Sequence, residues 1–431
     1  MRNKIEKLYV NPKYSKLIEW SKHLSITGAT QILIQILGLI SGIIVIRFLS
    51  PQEYALYILA NTLLGTMTLL SDGGISIGIM AEGGKIYQHK DKLGAVVVTG
   101  LSLRKKFSIF SLLTFLPVLV YLLYHHGANW FSIVFIIISI IPAFNAALSD
   151  SILQIPIMLN QDIKSLQKNQ MKVSVGRFIL NWLGLFMFPY AFIAIFAAGV
   201  PRIWGNIRLK KVTNVFADLK QKDDPQTKKK ILKIVSLILP GAIYYCISGQ
   251  LTIWLISIFG ETNSIAEIGA LGRIAMVLTV ITTMNSTLVT PRFARLPGDK
   301  VLIYKKVIQI VFVLIIVCIM TISLCILLSN QILSILGDSY KGLETELVLC
   351  IIGSCITMIW NVIFSLYSSR GWVLHPLISI SVSVLAVISG VLYFDIHTLK
   401  GVLYFNIFIA VIELLLHGLF MVFRVRKIQY V

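Results

Sequence analysis

Apolar positions along this chain gather into runs of roughly 18 to 25 residues, the length at which an α-helix crosses about 30 Å of hydrocarbon. Reading the runs against their charged breaks predicts twelve spans, near 24–46, 54–81, 107–126, 130–153, 173–190, 191–207, 231–258, 267–290, 307–328, 346–368, 374–394 and 401–423. The stretch 173–207 is divided at Pro189 and Tyr190, because one uninterrupted helix would be about 52 Å long. The expected fold is an all-α integral membrane bundle.

Charge supports the even number. With twelve spans both termini share a side with every second loop, and that side holds 35 of the 39 lysines and arginines. Arg47, Lys341 and Lys400 fall on the other side and Arg273 within a span. Basic loops remain in the cytoplasm, so both ends are expected there. An odd count would scatter the same charges over both faces.

Composition then excludes other classes. The chain is 56% hydrophobic and 13% charged, with a mean hydropathy of +0.83, outside the range of soluble domains. A net charge of +20 would suit nucleic acid, but the cations lie in short loops and at the termini and form no basic face; anionic lipid headgroups are their expected neighbours. The five cysteines all lie in apolar runs without metal-ligand spacing and read as core residues. Residues 1–22 are too long and mixed for a signal peptide, and Trp20 with Ile5, Leu8, Leu17 and Ile18 gives them a partly apolar face suited to the inner leaflet.

The longest polar stretch, Arg208 to Lys230, falls near the middle of the chain and reads as a basic linker. It separates a six-helix lobe at 24–207 from a second at 231–423, with an N-terminal segment 1–23 and a tail 424–431. Glu53 to Tyr57 opens the second span much as Glu267 to Leu271 opens the eighth, 214 residues on. Duplication of six helices preserves orientation, so the halves are expected to be parallel repeats.

Gly38, Gly42 and the run Ile46, Arg47, Phe48, Leu49, Ser50, Pro51, Gln52, Glu53, Tyr54, Ala55, Leu56, Tyr57 resemble the start of Wzx-type polysaccharide flippases of the multidrug/oligosaccharidyl-lipid/polysaccharide (MOP) superfamily. Leu70 to Ile75 and Ile335 to Tyr340 resemble two further motifs of that family, and Ala55 departs from its usual glycine. The resemblance covers nearly the whole chain. It implies two six-helix lobes around a central cavity opening alternately to either side. The implied cargo is a short oligosaccharide on undecaprenyl diphosphate.

No HExxH, GxSxG or P-loop is present, so an enzyme is not expected, nor is a cofactor. Energy would come from H+, Na+ or the cargo gradient. Ionisable groups inside spans are costly unless they face a cavity or a partner, which makes them the candidates. Arg273 lies six residues past Glu267, about 9 Å below the outer face, on a helix that the resemblance places on the cavity wall; a guanidinium there suits diphosphate oxygens, and a structural pairing with Glu267 is the alternative. Arg47 is either an interfacial anchor or a second cation at the cavity mouth. Asp72, beside Gly73 and Gly74, is expected to cap a helix break or neutralise a gate cation, and Asp150 has the same reading. Glu413 and His417 share a helix face near the midplane, where a carboxylate suits a coupling cation; the alternative is a neutral Glu413 bonded to His417 or Asn361. Gly38 and Gly42, with Gly28, are expected to allow close helix contact.

A flippase is therefore the leading expectation, working as a monomer beside a polysaccharide polymerase or chain-length complex. An organic-cation antiporter of the same superfamily is the runner-up, and the lack of carboxylates in the first and seventh spans argues against it. Arg273→Ala is expected to reduce surface polymer far more than Arg273→Lys in a cell relying on this protein, whereas equal defects would indicate packing alone.

Overall fold

The structure, a computed structural model, describes residues 12–125, 127–248, 271–272, 274–275, 277–336 and 342–427. It is all-helical, with no strand among these residues. Among the described residues, eight helices are long and apolar enough to cross a bilayer, with spans at Thr27–Val45, Gln52–Asp72, Lys90–His125, Trp130–Leu159, Lys300–Leu327, Glu344–Ser368, Pro376–Tyr393 and Leu399–Arg426. The expected spans 173–190 and 191–207 lie in helices Ile163–Met187 and Ala191–Phe216, separated at the anticipated Pro189 and Tyr190. Part of 231–258 and the start of 267–290 lie outside the described residues, as do Gly337 to Tyr340.

The chain forms two compact units. One runs to Val235 and takes in Thr287–Arg292; the other comprises Ser236–Ser286 and Phe293–Val431. The first contains α1 (Pro12–Phe48), α2 (Pro51–Asp72), α3 (Ile75–Ile86), α4 (Lys90–His125), α5 (Trp130–Leu159), α6 (Ile163–Met187), α7 (Ala191–Phe216) and the start of α8 (Pro225–Ser248). Its core is aliphatic, built on Leu56, Leu119, Leu123, Ile133, Ile136, Ile140 and Ile195. Without water in hydrocarbon, close van der Waals packing holds such helices together, and small residues permit it. Gly199 of α7 shows why: a Cβ there would fall 2.9 Å from that of Ala143 on α5.

Three expectations change here. The second span is not one helix, because α2 ends at Asp72 and α3 begins at Ile75 across Gly73 (φ 45°) and Gly74 (φ 99°), a left-handed pair that side chains rarely tolerate. The stretch 82–106 between the second and third expected spans is not a loop, since 82–86 end α3 and 90–106 begin α4, leaving only 87–89 outside a helix. Gly38 and Gly42 are exposed, and among the described residues a Cβ at either would meet nothing within 4 Å, so neither is a contact between described helices.

Most of the expected linker is helical too. Only 217–224 separates α7 from α8, and it lies along α4: Asp218 N donates to Lys90 O (3.1 Å) and Asp224 N to Thr99 Oγ1 (2.9 Å).

The Ser50 to Glu53 turn fastens one end of this unit. Ser50 caps α2 by accepting from Glu53 N (3.3 Å), Gln52 Nε2 donates to Gly127 O (3.0 Å), and Glu53 Oε2 accepts from Ala191 N (2.7 Å), the first amide of α7. Three separate turns are thereby joined.

The second unit contains α9 (Leu278–Met284), the start of a π turn at Asn285–Val289, part of α10 (Thr290–Ala294), α11 (Lys300–Leu327), α12 (Ser329–Leu336), α13 (Glu344–Ser368), α14 (Pro376–Tyr393) and α15 (Leu399–Arg426). Asp299 and Thr398 cap α11 and α15, and His375 before Pro376 starts α14. Arg370 donates to Phe293 O (3.1 Å) and Leu296 O (2.8 Å), closing the carbonyl end after α10. Tyr121, Tyr124, Trp130 and Tyr393 are exposed near helix ends, as interfacial aromatics would be, while Trp372 lies under Arg370.

Glu53→Ala leaves an α7 amide without its carboxylate, and a loss of about 1–3 kcal/mol is expected. Thermal unfolding of the detergent-solubilised protein reads it; an unchanged midpoint would contradict the role given to this turn.

Candidate functional site

Charges enter the helices at three places. In the first unit, the end of α2 places Asp72 beside α3, where Oδ1 accepts from Ser76 N (3.3 Å) and Ser76 Oγ (2.6 Å). The same oxygen pairs with the guanidinium of Arg104 on α4. Asp72 thus both caps the helix after the break and neutralises a cation. Arg104 is 3% exposed and donates also to Leu148 O (2.6 Å) and Ser151 Oγ on α5. One guanidinium so binds three helices. An isolated buried charge is prohibitive, whereas a paired and hydrogen-bonded one is not.

Arg104 was missed in the sequence because 82–106 reads as a loop. The apolar residues from Leu93 to Leu103 immediately before it were the available signal that the helix starts earlier.

Asp150 on α5 opens a second polar seam. Its carboxylate accepts from Arg202 Nε of α7 (3.2 Å) and from Gln154 Nε2 (2.7 Å). Gln154 accepts from Gln170 Nε2 of α6 (3.3 Å), and Gln170 from Gln31 Nε2 of α1 (3.0 Å). The seam ties four helices of one unit through side chains that apolar patterning does not reveal.

The second unit holds the third site. Glu413 and His417, both buried on α15, place Oε2 and Nε2 3.4 Å apart. Ser383 Oγ of α14 donates to Glu413 Oε1, and Tyr367 OH of α13 lies 2.7 Å from His417 Nδ1. Trp360 stacks on the imidazole with centroids 5.1 Å apart and planes 14° apart, and Phe364 meets it edge-on. Nδ1 is the ring nitrogen that hydrogen-bonds, to Tyr367, while the buried Nε2 faces the carboxylate at ion-pair distance without a hydrogen bond.

Glu413 also lines a cavity of about 740 Å³ within this unit. Ser354, Thr357, Asn361, Ser383 and Asn406 supply hydroxyls and amides to the wall, with Tyr244 and Trp360 among its aromatics. Asn361 faces this cavity and donates to Thr357 O (2.9 Å) on its own helix. Tyr367 and Ser383 were not anticipated, because single hydroxyls in apolar runs carry no sequence signal.

Of the two expected substrate cations, Arg47 is exposed in the last turn of α1, where it complements the carbonyl end of the helix. Arg273 lies outside the described residues. Among the described residues no group of three or more His, Cys, Asp or Glu side chains is arranged to hold a metal ion.

A multi-pass helical membrane protein carrying a buried carboxylate in the wall of a mainly apolar cavity is the class these features define. Its fold is that of MATE transporters. A MATE crystal structure in the straight conformation matches with TM-score 0.73 at 14% identity, covering 98% of each chain. One in the bent conformation matches with TM-score 0.69 at 13% identity, also over 98% of each chain. The outward-facing conformation of a multidrug resistance MATE family transporter of the MOP superfamily gives TM-score 0.69 at 14% identity over the same shares. No protein-family profile and no curated protein sequence matches the chain.

Arg104→Met is expected to cost about 3 kcal/mol by stranding Asp72, with Asp72→Asn added to it recovering part of the loss. A double-mutant cycle by denaturation in detergent measures the coupling; strictly additive losses would exclude it.

Proposed function

We propose that the protein is a transporter rather than an enzyme, moving a lipid-linked oligosaccharide repeat unit from the inner to the outer leaflet of a bacterial cytoplasmic membrane by alternating access, with both termini cytoplasmic. The observation that carries this reading is the cavity wall of the second unit. Its polar groups are mainly hydroxyls and amides, the partners that sugar hydroxyls take, and its carboxylate is engaged by Ser383 and His417. The MATE-like fold supports a transporter generally, and the residues around Ser50 to Tyr57 and Leu70 to Ile75 support the polysaccharide branch.

An undecaprenyl diphosphate carrier gives the cargo two phosphates, for which Arg273 and Arg47 are the proposed contacts. Asp72 and Asp150 serve gating or packing. Glu413 with His417, and Asn361 beside them, are the proposed coupling group for H+ or Na+. The protein would work as a monomer, alone or beside a polymerase or chain-length complex.

A second reading is an antiporter for organic cations. Glu413 at the cavity wall beside Trp360 and Tyr244 favours it, since a carboxylate with aromatic neighbours suits a soft cation, and one similar structure is of a multidrug resistance transporter.

Expression in a strain deleted for its own repeat-unit flippase tests the first reading. Restored surface polymer is the expected result. Polymer absent with several repeat units, together with export of an organic cation, would favour the second. In either setting Glu413→Gln is expected to lower transport about tenfold or more and to weaken its dependence on the ion gradient; full ion dependence in this variant would remove Glu413 from coupling.

A further inference from the structure

Where α6 begins and α7 ends, cations of two helices meet. Lys164, Lys168 and Lys172 follow at i, i+4 and i+8 on α6, and Arg208 and Lys211 at i and i+3 on α7. The helices lie close here because Gly205 faces Val173, whose Cγ2 would be 2.4 Å from a Cβ at that glycine. Lys172 is half-buried and the other four cations are exposed. Partial desolvation, then repulsion by Arg208 and Lys168, holds the Lys172 ammonium below the usual lysine range.

Acids do not relieve this repulsion. Among the described residues none of the five cations has a carboxylate within ion-pair distance. Asp162, near in sequence, caps α6 through Ser165 N, and Asp150 is engaged by Arg202 and Gln154. The five cations are therefore left as an unneutralised cluster.

The strip does not end at the charges. Continuing the Lys168 and Lys172 face at helical spacing, Val175, Ile179, Trp182 and Phe186 are exposed, up to 71% at Phe186. On α7, the Arg208 guanidinium lies 4.7 Å over the exposed Trp204 ring, an amphipathic pair suited to the headgroup level of a bilayer. Cations in one register followed by apolar side chains in the same register match an amphiphile. A free anion would use only the first part.

We infer that this strip binds one anionic phospholipid, its phosphate held by Lys168, Lys172 and Arg208 and its acyl chain lying along Val175, Ile179 and Trp182. Diffuse attraction of a basic loop to an anionic surface requires no convergence of two helices and no apolar track. The site is independent of the transport reading and of the cavity in the second unit.

Native mass spectrometry of the full-length protein in neutral detergent, with phosphatidylglycerol and phosphatidylcholine as competing probes, tests it. The wild type is expected to retain phosphatidylglycerol at least about tenfold over phosphatidylcholine. K168Q/K172Q/R208Q is expected to abolish the preference, and K220Q/K222Q/K229Q, with the same loss of charge, to keep it. Equal loss in both would mean diffuse attraction and overturn the site. Displacement of phosphatidylglycerol by millimolar inorganic phosphate would overturn the assignment to a lipid. Should the triple variant not fold, Lys168→Gln and Arg208→Gln singly, each expected to cost about fivefold, give the same reading, and an unchanged preference in both would refute it.

Discussion

Hydrocarbon offers no water to a polar group, and that constraint governs the rest of this structure. Backbone amides and carbonyls satisfy each other inside helices, which is why the described chain is helical throughout its apolar parts. Charged side chains meet the same demand by pairing. Asp72 with Arg104 and Asp150 with Arg202 bring opposite charges from different helices together, and each pair is extended by hydroxyl, amide or carbonyl partners. The place where a helix breaks, at Gly73 and Gly74, is also where Asp72 accepts from the Ser76 amide, so the break and the ion pair depend on one carboxylate.

The two units handle polarity differently. In the first, polar groups form linear seams between helices, as from Gln31 through Gln170 and Gln154 to Asp150 and Arg202. In the second, hydroxyls and amides gather around a cavity, with the Glu413 and His417 pair in its wall and aromatic rings behind it. Seams strengthen packing. A cavity leaves room for a bound molecule.

Much of this was legible in the sequence, and the reason is periodicity. Apolar runs gave the helices, Pro189 the division between α6 and α7, and i,i+4 spacing the shared face of Glu413 and His417. What stayed hidden depends on partners distant in sequence. Arg104 resembles any other loop cation until Asp72, 32 residues away, is brought against it. Ser383 and Tyr367 are ordinary residues of apolar helices until α14 and α13 place them on α15. Gly38 and Gly42 err in the opposite direction: small residues invite helix contact, and among the described residues no neighbour accepts.

The turn from Ser50 to Glu53 has a mechanical consequence. Gln52 grips the bend between α4 and α5, Glu53 grips the bend before α7, and both arise from a helix start that Ser50 and Pro51 make rigid. A force applied to any of these three bends is shared by the other two. The three bends at that end of the first unit are thereby tied to one helix start, while the other end of α2 meets the glycine pair, the one place in that helix's course where the backbone turns left-handed.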